Sequence, residues 1–175
     1  MKKRISRMDW ARLAAYIDGE GCMAISRANL KSDNVCPTFT LQLCIVNTNP
    51  TLLLWCHDKF EGGIYPKNVH SERHTQSYTW AVTGQRAENI IRKCLPYFLV
   101  KREQAELVLL FRKTYEIDRS TFDYPRENGR NFLGGVSRFG GQEVATKREG
   151  FRVELKRLKK TCNPKDLERV QEIIQ

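Results

Sequence analysis

The chain has 175 residues, the size of one domain or of two small halves, and its 30 Lys and Arg residues exceed its 20 Asp and Glu residues to give a net charge of +10. Hydrophobic residues form 41% of the composition, which excludes a wholly disordered chain. The apolar runs are far shorter than the roughly 20 residues that cross a bilayer. The basic start is not followed by an apolar segment, which argues against a secretory signal. We therefore expect an intracellular protein without a membrane partner.

The six cysteines form no C-x-x-C pair and do not stand at zinc-finger spacing with a histidine, so the sequence does not predict a structural zinc site. In a chain that is not secreted, we expect free thiols rather than disulfides. The excess of positive charge favours a polyanionic partner, with nucleic acid as the first candidate. A basic protein with an ordinary solvated surface is the alternative that charge alone leaves open.

Hydrophobic periodicity predicts a first helix over Trp10–Asp18, with Asp9 as its N-cap and a glycine-rich end. A strand follows over residues 22–26. Residues Thr38–Asn47 alternate between apolar and polar side chains, which predicts a strand with one packed face. The later predicted elements are a helix at Thr51–Phe60, strands at Ile64–His70 and Gln76–Thr83, helices at Arg86–Cys94, Lys101–Tyr115 and Glu143–Lys160, and a last helix that begins at Asn163-Pro164.

This order predicts an α+β protein with a core at about residues 8–116, in which helices cover one face of a four-stranded antiparallel sheet. The core order is helix, strand, strand, helix, strand, strand, helix. Residues 118–141 hold five glycines among Arg and aromatic residues and are predicted to form a long mobile loop. Residues 142–175 are predicted to form a basic helical region.

The uncovered face of this sheet would be broad and polar, as in proteins that read the DNA major groove with β-strands. The side chains predicted for this face can form hydrogen bonds, and none of them is acidic. An ordinary solvated sheet face is the alternative. The predicted DNA-contacting residues of this face are Ser26, Thr38, Thr40, Gln42, Lys67, Gln76 and Thr79.

The segment from 147 to 160 carries seven Lys or Arg residues and two Glu residues, which is half of the chain's net charge of +10. We expect this helix to contact DNA phosphates, beginning with Lys147 and Arg148, although a merely soluble helix face would look similar. Three further side chains at predicted strand ends and loop tips, Arg27, His70 and Arg73, are candidates for DNA contacts.

The most informative segment is Leu13–Gly21, with the sequence L-A-A-Y-I-D-G-E-G. Carboxylates at a helix C-terminus are disfavoured by about 0.3–1 kcal/mol each, yet Asp18 and Glu20 stand there without a basic residue. A hard divalent cation, bound by carboxylate oxygens and by backbone carbonyls of Gly19–Gly21, would account for them. A helix end that simply carries two acids is the alternative.

Small residues on the same helix, Ala11, Ala14 and Ala15, would allow a second helix to approach closely. Two copies related by a two-fold axis would bring both Glu20 carboxylates near that axis. We therefore predict a homodimer whose interface includes Ala11, Ala14, Ala15 and Asp18. Packing of this helix inside its own domain is the alternative.

The segment Leu13–Gly21 resembles the signature of the LAGLIDADG homing endonucleases, and the predicted element order from Trp10 to about residue 116 is similar to their core. Residues around 100–150 hold no second acid–glycine motif at a predicted helix end, as in the single-motif homodimeric branch. The resemblance implies an endonuclease that uses Mg²⁺ or Mn²⁺ to hydrolyse both strands of a long, near-palindromic double-stranded DNA target, with no small-molecule substrate. It implies a location in a bacterial, archaeal or phage-host cytoplasm or in an organelle.

Four residues match functional positions of that family. Glu20 matches the metal-binding catalytic carboxylate, and Gly19 matches a position whose carbonyl can join the coordination. Asn47 resembles the polar residue that orients water or a metal ligand. Lys101 resembles the lysine that lies near the cleaved bond.

The chain departs from the family pattern at three positions. Glu20 stands where the consensus has Asp, a side chain one methylene longer that the family also uses. Ala15 replaces a consensus glycine, which would place the two helices of a dimer slightly farther apart. Thr51 stands where relatives often carry a second basic residue.

Two other functions fit the same scaffold: an RNA-binding intron maturase and a DNA-binding protein without catalytic activity.

Overall fold

The computed structural model describes residues 4–28, 37–67, 75–115, 126–127, 130–131, 141–160 and 164–174. The helices are α1 (Arg7–Glu20), α2 (Pro50–Phe60), α3 (Gly84–Cys94), α4 (Arg102–Lys113), α5 (Gly141–Leu158) and α6 (Pro164–Ile174). The strands are β1 (Gly21–Ala28), β2 (Thr38–Asn47), β3 (Gly63–Pro66), β4 (Tyr78–Thr83), β5 (Arg126–Glu127) and β6 (Arg130–Asn131). Within these ranges, no helix is both long enough and apolar enough to cross a membrane.

Four strands form one antiparallel sheet in the order β1-β2-β4-β3. Strands β1 and β2 pair from Gly21, opposite Ile45, to Ala28, opposite Thr38. The third strand ends at Pro66, earlier than predicted, and residues 68–74 lie outside the described ranges. The predicted α+β class, the element order and the four-stranded antiparallel sheet are confirmed.

Side chains alternate in direction along each strand, so one face of the sheet points into the core. Trp80 of β4 is fully buried on this face, and its indole Nε1 donates to the carbonyl of Glu61 at 2.7 Å. Each fully buried Leu, Ile or Val side chain contributes about 1.5–3 kcal/mol of transfer free energy. The core-facing side chains of β2 are at most 5% exposed: Phe39, Leu41, Leu43 and Ile45. Helices α1 to α4 cover them with Leu13, Ile17, Leu53, Ile91, Val108 and Phe111.

The first helix begins at Arg7 because Ser6, not the predicted Asp9, is its N-cap. The Ser6 hydroxyl accepts the Asp9 N–H at 3.1 Å, and the Asp9 carboxylate accepts the Ser6 N–H at 2.9 Å, a reciprocal capping box. The Asp9 carboxylate also accepts from the Ser6 hydroxyl at 2.9 Å. The hydrogen bonds from the Ser6 N–H and hydroxyl, with one from Lys59, lower the pKa of Asp9 to about 2. Both residue types suit an N-cap, so composition alone did not distinguish them.

Helix α5 packs against α4 and β1. Its Ala145 and Leu155 are buried in the same hydrophobic cluster as the sheet. Of the loop predicted over 118–141, the structure describes Gly141 and the short antiparallel pair β5–β6, while the other residues of that segment lie outside the described ranges.

Candidate active site and nucleic-acid interface

Glu20 and Asn47 meet where α1 and β2 end. Glu20 is the exposed last residue of α1, and Asn47 is the last residue of β2. The Asn47 amide Nδ2 donates to Glu20 Oε2. Its Oδ1 accepts the N–H of Asn49 at 2.8 Å, which fixes the orientation of the amide. Two of the residues predicted to be catalytic therefore lie in direct contact.

Gly21 allows α1 to continue directly into β1. A Cβ at this position would lie 2.6 Å from Ile17 Cα and 2.8 Å from Ile17 O, so any side chain would collide with the helix backbone. The Gly21 N–H instead donates to the carbonyls of Ile17 and Tyr16 and caps the helix. Because helix and strand join without a loop, Glu20 has little freedom to leave the end of the sheet.

Lys101 and Asp18 join the end of α1 to the start of α4. The Asp18 carboxylate accepts the N–H of Leu99 at 2.7 Å and the N–H of Lys101 at 2.9 Å. In return, Lys101 Nζ donates to the carbonyls of Ile17 and Asp18 at 2.7 Å and of Gly21 at 2.9 Å. The three N–H donors of the ammonium group thus have three carbonyl acceptors.

Lys101 places a positive charge at the end of α1, where the sequence predicted a divalent metal ion. The ammonium of Lys101 neutralises the negative end of the α1 dipole and donates to the carbonyls of Ile17, Asp18 and Gly21. Desolvation lowers the pKa of Lys101, whereas the charge of Asp18 raises it, and the pKa stays below its ordinary value. Of the oxygen donors predicted for a divalent ion, the Glu20 carboxylate and the Gly19 carbonyl receive no hydrogen bond from Lys101. Among the described residues, no group of three or more His, Cys, Asp or Glu side chains is placed to hold a metal.

The sheet face opposite the core carries most of the polar residues predicted for it. Ser26 of β1 lies opposite Thr40 of β2, and its hydroxyl donates to Gln42 Oε1 at 3.3 Å. Thr38 and Thr79 point to the same side of the sheet and also lie on this face. We call the residues Ser26, Thr38, Thr40, Gln42 and Thr79 the polar face.

Tyr65 is a surface residue that sequence reasoning missed. It lies opposite Thr79, and its side chain is 58% exposed on the polar face. Lys67 is exposed just beyond β3 and has the same alternation as Tyr65. An aromatic side chain two residues before a lysine in a strand was the available signal for this position.

Two predicted DNA contacts are placed elsewhere. Arg27 lies two residues after the core-facing Ile25, on the same side of the sheet, and its guanidinium lies 4.0 Å from the Glu149 carboxylate. Gln76 precedes β4, and its amide donates to the carbonyls of Lys67 and Ser77 at 2.8 Å, which closes the end of the β3–β4 pair. Neither residue belongs to the polar face. The predicted contacts His70 and Arg73 lie outside the described residues.

Arg148 was predicted to contact phosphate, and the structure places it in the interior. Its side chain is 2% exposed, and its guanidinium lies 3.8 Å from the centroid of the Tyr115 ring. Nε donates to Thr114 Oγ1 at 2.9 Å, and Nη2 donates to the Thr114 carbonyl at 2.8 Å. Burial lowers the pKa of Arg148, although the Tyr115 side chain opposes the shift. The preceding residue, Lys147, is exposed as predicted.

The small residues of α1 divide between two faces. Ala14 is fully buried in the core, so it packs inside its own domain rather than facing a second chain. The Asp18 carboxylate binds the backbone N–H groups at the start of α4. The residues that point outward repeat every four positions: Ala11 is partly exposed, and Ala15 and Gly19 are exposed. Apart from its chain neighbours and the backbone of α1 itself, a Cβ at Gly19 would meet no atom of the described residues within 4 Å.

Two cysteines lie on the sheet next to Glu20. Cys22 of β1 stands opposite Cys44 of β2, and Lys159 Nζ reaches Cys22 Sγ at 3.0 Å. The hydrogen bond from Cys44 and the contact with Lys159 lower the pKa of Cys22 to about 5, whereas burial raises it. The same pairing raises the pKa of Cys44.

Solved structures share this architecture. The homing endonuclease I-CvuI aligns with a TM-score of 0.63 over 90% of this chain and 85% of that chain, at 17% sequence identity. The archaeal intron-encoded homing endonuclease I-Vdi141I aligns with a TM-score of 0.62 over 95% and 94%, at 14% identity. The homing endonuclease I-TnaI aligns with a TM-score of 0.52 over the full length of both chains, at 13% identity. No protein-family model matches this sequence, and no curated protein sequence matches it. The chain therefore has the fold of the LAGLIDADG homing endonucleases.

Proposed function

We propose that this protein is a site-specific homing endonuclease that acts as a two-fold homodimer and hydrolyses both strands of a long, near-palindromic DNA target with Mg²⁺ or Mn²⁺. The observation that carries the proposal is the contact between Glu20 and Asn47 at the end of the sheet that carries the polar face. In the structures with this fold, I-Vdi141I is complexed with DNA and I-CvuI is in complex with its target. One I-CvuI structure holds its own target in the presence of 2 mM Ca²⁺, and another holds the I-CreI target, not cleaved, in the presence of 2 mM Mg²⁺.

Hydrolysis of a phosphodiester requires an activated water, compensation of the charge that develops on phosphorus oxygens, and stabilisation of the leaving oxygen. A bound divalent ion lowers the pKa of water and stabilises that charge. The Glu20 carboxylate and the Gly19 carbonyl are the oxygen donors that would hold the ion, and both suit a hard cation. Asn47 would hold the Glu20 carboxylate in one orientation through the observed hydrogen bond.

The contacts of Lys101 support a positioning role beside the direct role that the family resemblance implies. Its ammonium fixes the carbonyls on both sides of Gly19 and so holds the backbone from which Glu20 projects. Its charge also adds positive potential at the end of α1, where an anionic substrate would approach.

The outward face of α1 supports a homodimer. Glycine inside a helix costs about 0.5–1 kcal/mol relative to alanine, and no contact among the described residues requires a glycine at position 19. A second helix that packs against Ala11, Ala15 and Gly19 would account for that glycine. Because the metal donors described in one chain include a single carboxylate, the second copy would supply the other.

The experiment that tests this function is selection of cleaved sites from a randomised duplex library with Mg²⁺. We expect a long, near-palindromic consensus cut on both strands, with half-sites about one helical turn apart. Duplex binding without cutting under Mg²⁺ and Mn²⁺ would instead indicate an inactive DNA-binding protein. Binding to structured RNA without DNA cleavage would indicate an intron maturase.

A further inference from the structure

Two cysteines of the sheet form a chemical site that the proposed nuclease reaction does not use. Cys22 follows Glu20 by two positions, and Cys44 lies directly across from it on the neighbouring strand. We propose that Cys22 and Cys44 are a cross-strand dithiol site that a small-molecule disulfide, such as oxidised glutathione, converts reversibly into an intramolecular disulfide.

The register of β1 and β2 permits this bond without backbone movement. Directly opposed residues of antiparallel strands have Cα atoms about 4.5 or 5.5 Å apart, depending on the type of pair. Protein disulfides join Cα atoms that are about 4.4–6.8 Å apart, so either type of pair lies within the allowed range. The two residues are already in contact, since the Cys44 thiol donates to the Cys22 carbonyl at 3.6 Å.

The two thiols are also accessible, unlike the other described cysteines. Cys22 and Cys44 are each partly exposed on the side of the sheet away from the core, whereas Cys56 and Cys94 are fully buried in it. The exposed Lys159 reaches Cys22 Sγ with its ammonium group from the surface. A polar reagent that approaches from solvent can therefore reach the same sulfur.

The reaction is a pair of thiol–disulfide exchanges. The Cys22 sulfur attacks one sulfur of oxidised glutathione, breaks its S–S bond and releases one glutathione thiol. Cys44 then attacks the Cys22 sulfur of the mixed disulfide, which forms the Cys22–Cys44 bond and releases the second glutathione thiol. Two protein thiols are oxidised and one small disulfide is reduced, and excess dithiothreitol reverses both steps.

The bond would join the strand that begins after Glu20 to the strand that ends at Asn47, one residue pair beyond Gly21 and Ile45. It would close a loop between positions 22 and 44, and such closure reduces the entropy of the unfolded chain. We therefore expect the oxidised protein to melt at a higher temperature than the reduced protein. A lower melting temperature would contradict an unstrained bond.

The test uses the full chain with Cys36→Ser and Cys162→Ser, which removes the two cysteines outside the described residues. After treatment with oxidised glutathione and alkylation of the remaining thiols, peptide mapping should recover Cys22 linked to Cys44, while Cys56 and Cys94 are alkylated only after unfolding. The matched variant with Cys44→Ser should instead retain one glutathione on Cys22.

A stable glutathione adduct on Cys22 when Cys44 is present would overturn the proposal. A bond between two chains, or two unreacted thiols after treatment, would overturn it as well. Circular dichroism confirms the fold of each variant. If a variant fails to fold, peptide mapping of the unmodified chain, with all six cysteines, distinguishes the same outcomes.

Discussion

Asp18 and Lys101 cap each other's helices: the Asp18 carboxylate accepts the N–H of Lys101, and the Lys101 ammonium donates to the Asp18 carbonyl. The carboxylate lies at the positive start of α4 and the ammonium at the negative end of α1, so both charges are favoured by the helix dipoles. This pair joins segments 83 residues apart and fixes the turn from which Glu20 projects.

We predict that Lys101→Met destabilises the protein even without DNA. The substitution leaves three carbonyls at the end of α1 without their charged donor, and a hydrogen bond to a charged group contributes about 1.5–3 kcal/mol. We expect the free energy of unfolding in urea to fall by about 2 kcal/mol. The control Lys93→Met, at an exposed site on α3, should change it by less than about 0.5 kcal/mol. Equal stability of the two variants would assign Lys101 to a role directed only at DNA.

Stability should fall in acid partly through Glu88. Desolvation raises the pKa of this buried carboxyl, but hydrogen bonds from Arg92 at 2.7 Å and Arg112 at 2.9 Å hold it below its ordinary value of 4.5. A lowered folded-state pKa stabilises the protein above the unfolded-state value and ceases to do so as the pH falls through the folded-state value. Glu88→Gln should therefore lower stability near neutral pH by about 3 kcal/mol.

The same variant should flatten the pH dependence of unfolding below pH 4.5, where the wild-type carboxyl takes up its proton. Thermal melts of both proteins across the acidic range measure this. Parallel curves for the two proteins would show that Glu88 does not contribute to acid sensitivity.

The effect of Gly19→Ala on stability and association distinguishes a monomer from a dimer, because its sign differs between the two. In a monomer the change should stabilise the protein by about 0.5–1 kcal/mol, because a Cβ at this position contacts none of the described residues outside its own helix turn. If a second helix packs there, the methyl group should weaken association instead. We expect sedimentation to show a dimer for the wild type and a raised dissociation constant for the variant. A monomeric wild type that Gly19→Ala only stabilises would contradict the dimer.

Adjacent residues of α5 should respond differently to substitution. Arg148→Gln removes a buried guanidinium that binds Thr114 and lies over the Tyr115 ring, so it should cost about 2 kcal/mol or more of stability. The exposed Lys147→Gln should keep stability and reduce the slope of log binding constant against log salt by about one. A smaller salt slope for folded Arg148→Gln would place that residue at a phosphate.

Period-two alternation predicted the faces of the sheet, because each strand residue has only two directions to choose between. The order of residues along β2 is therefore enough to separate Phe39 and Leu41 from Thr38 and Thr40. The same rule places Arg27 on the core side of the sheet, because Arg27 lies two residues after Ile25, and so excludes it from the polar face.

Long-range contacts limited the rest of the sequence analysis. Nothing near Arg148 in the sequence indicates that Thr114 and Tyr115 enclose it, so a buried arginine was predicted to be a phosphate contact. Ala14 and Ala15 are both small, and only the packing of α1 decides which of them faces the core. At the end of α1, where two acids predicted a divalent ion, the structure places the ammonium of Lys101, which lies 80 residues or more away along the chain.

The proposed chemistry depends on Glu20, and Glu20→Gln tests it most directly because the amide keeps the shape of the side chain and loses its charge. On the duplex recovered by selection, with Mg²⁺ present, we predict that Glu20→Gln binds DNA within about twofold of the wild type and cleaves at least about a hundredfold more slowly. The exposed Glu106→Gln serves as the control and should cleave like the wild type. Cleavage by Glu20→Gln at the wild-type rate would contradict a metal-binding carboxylate at this position.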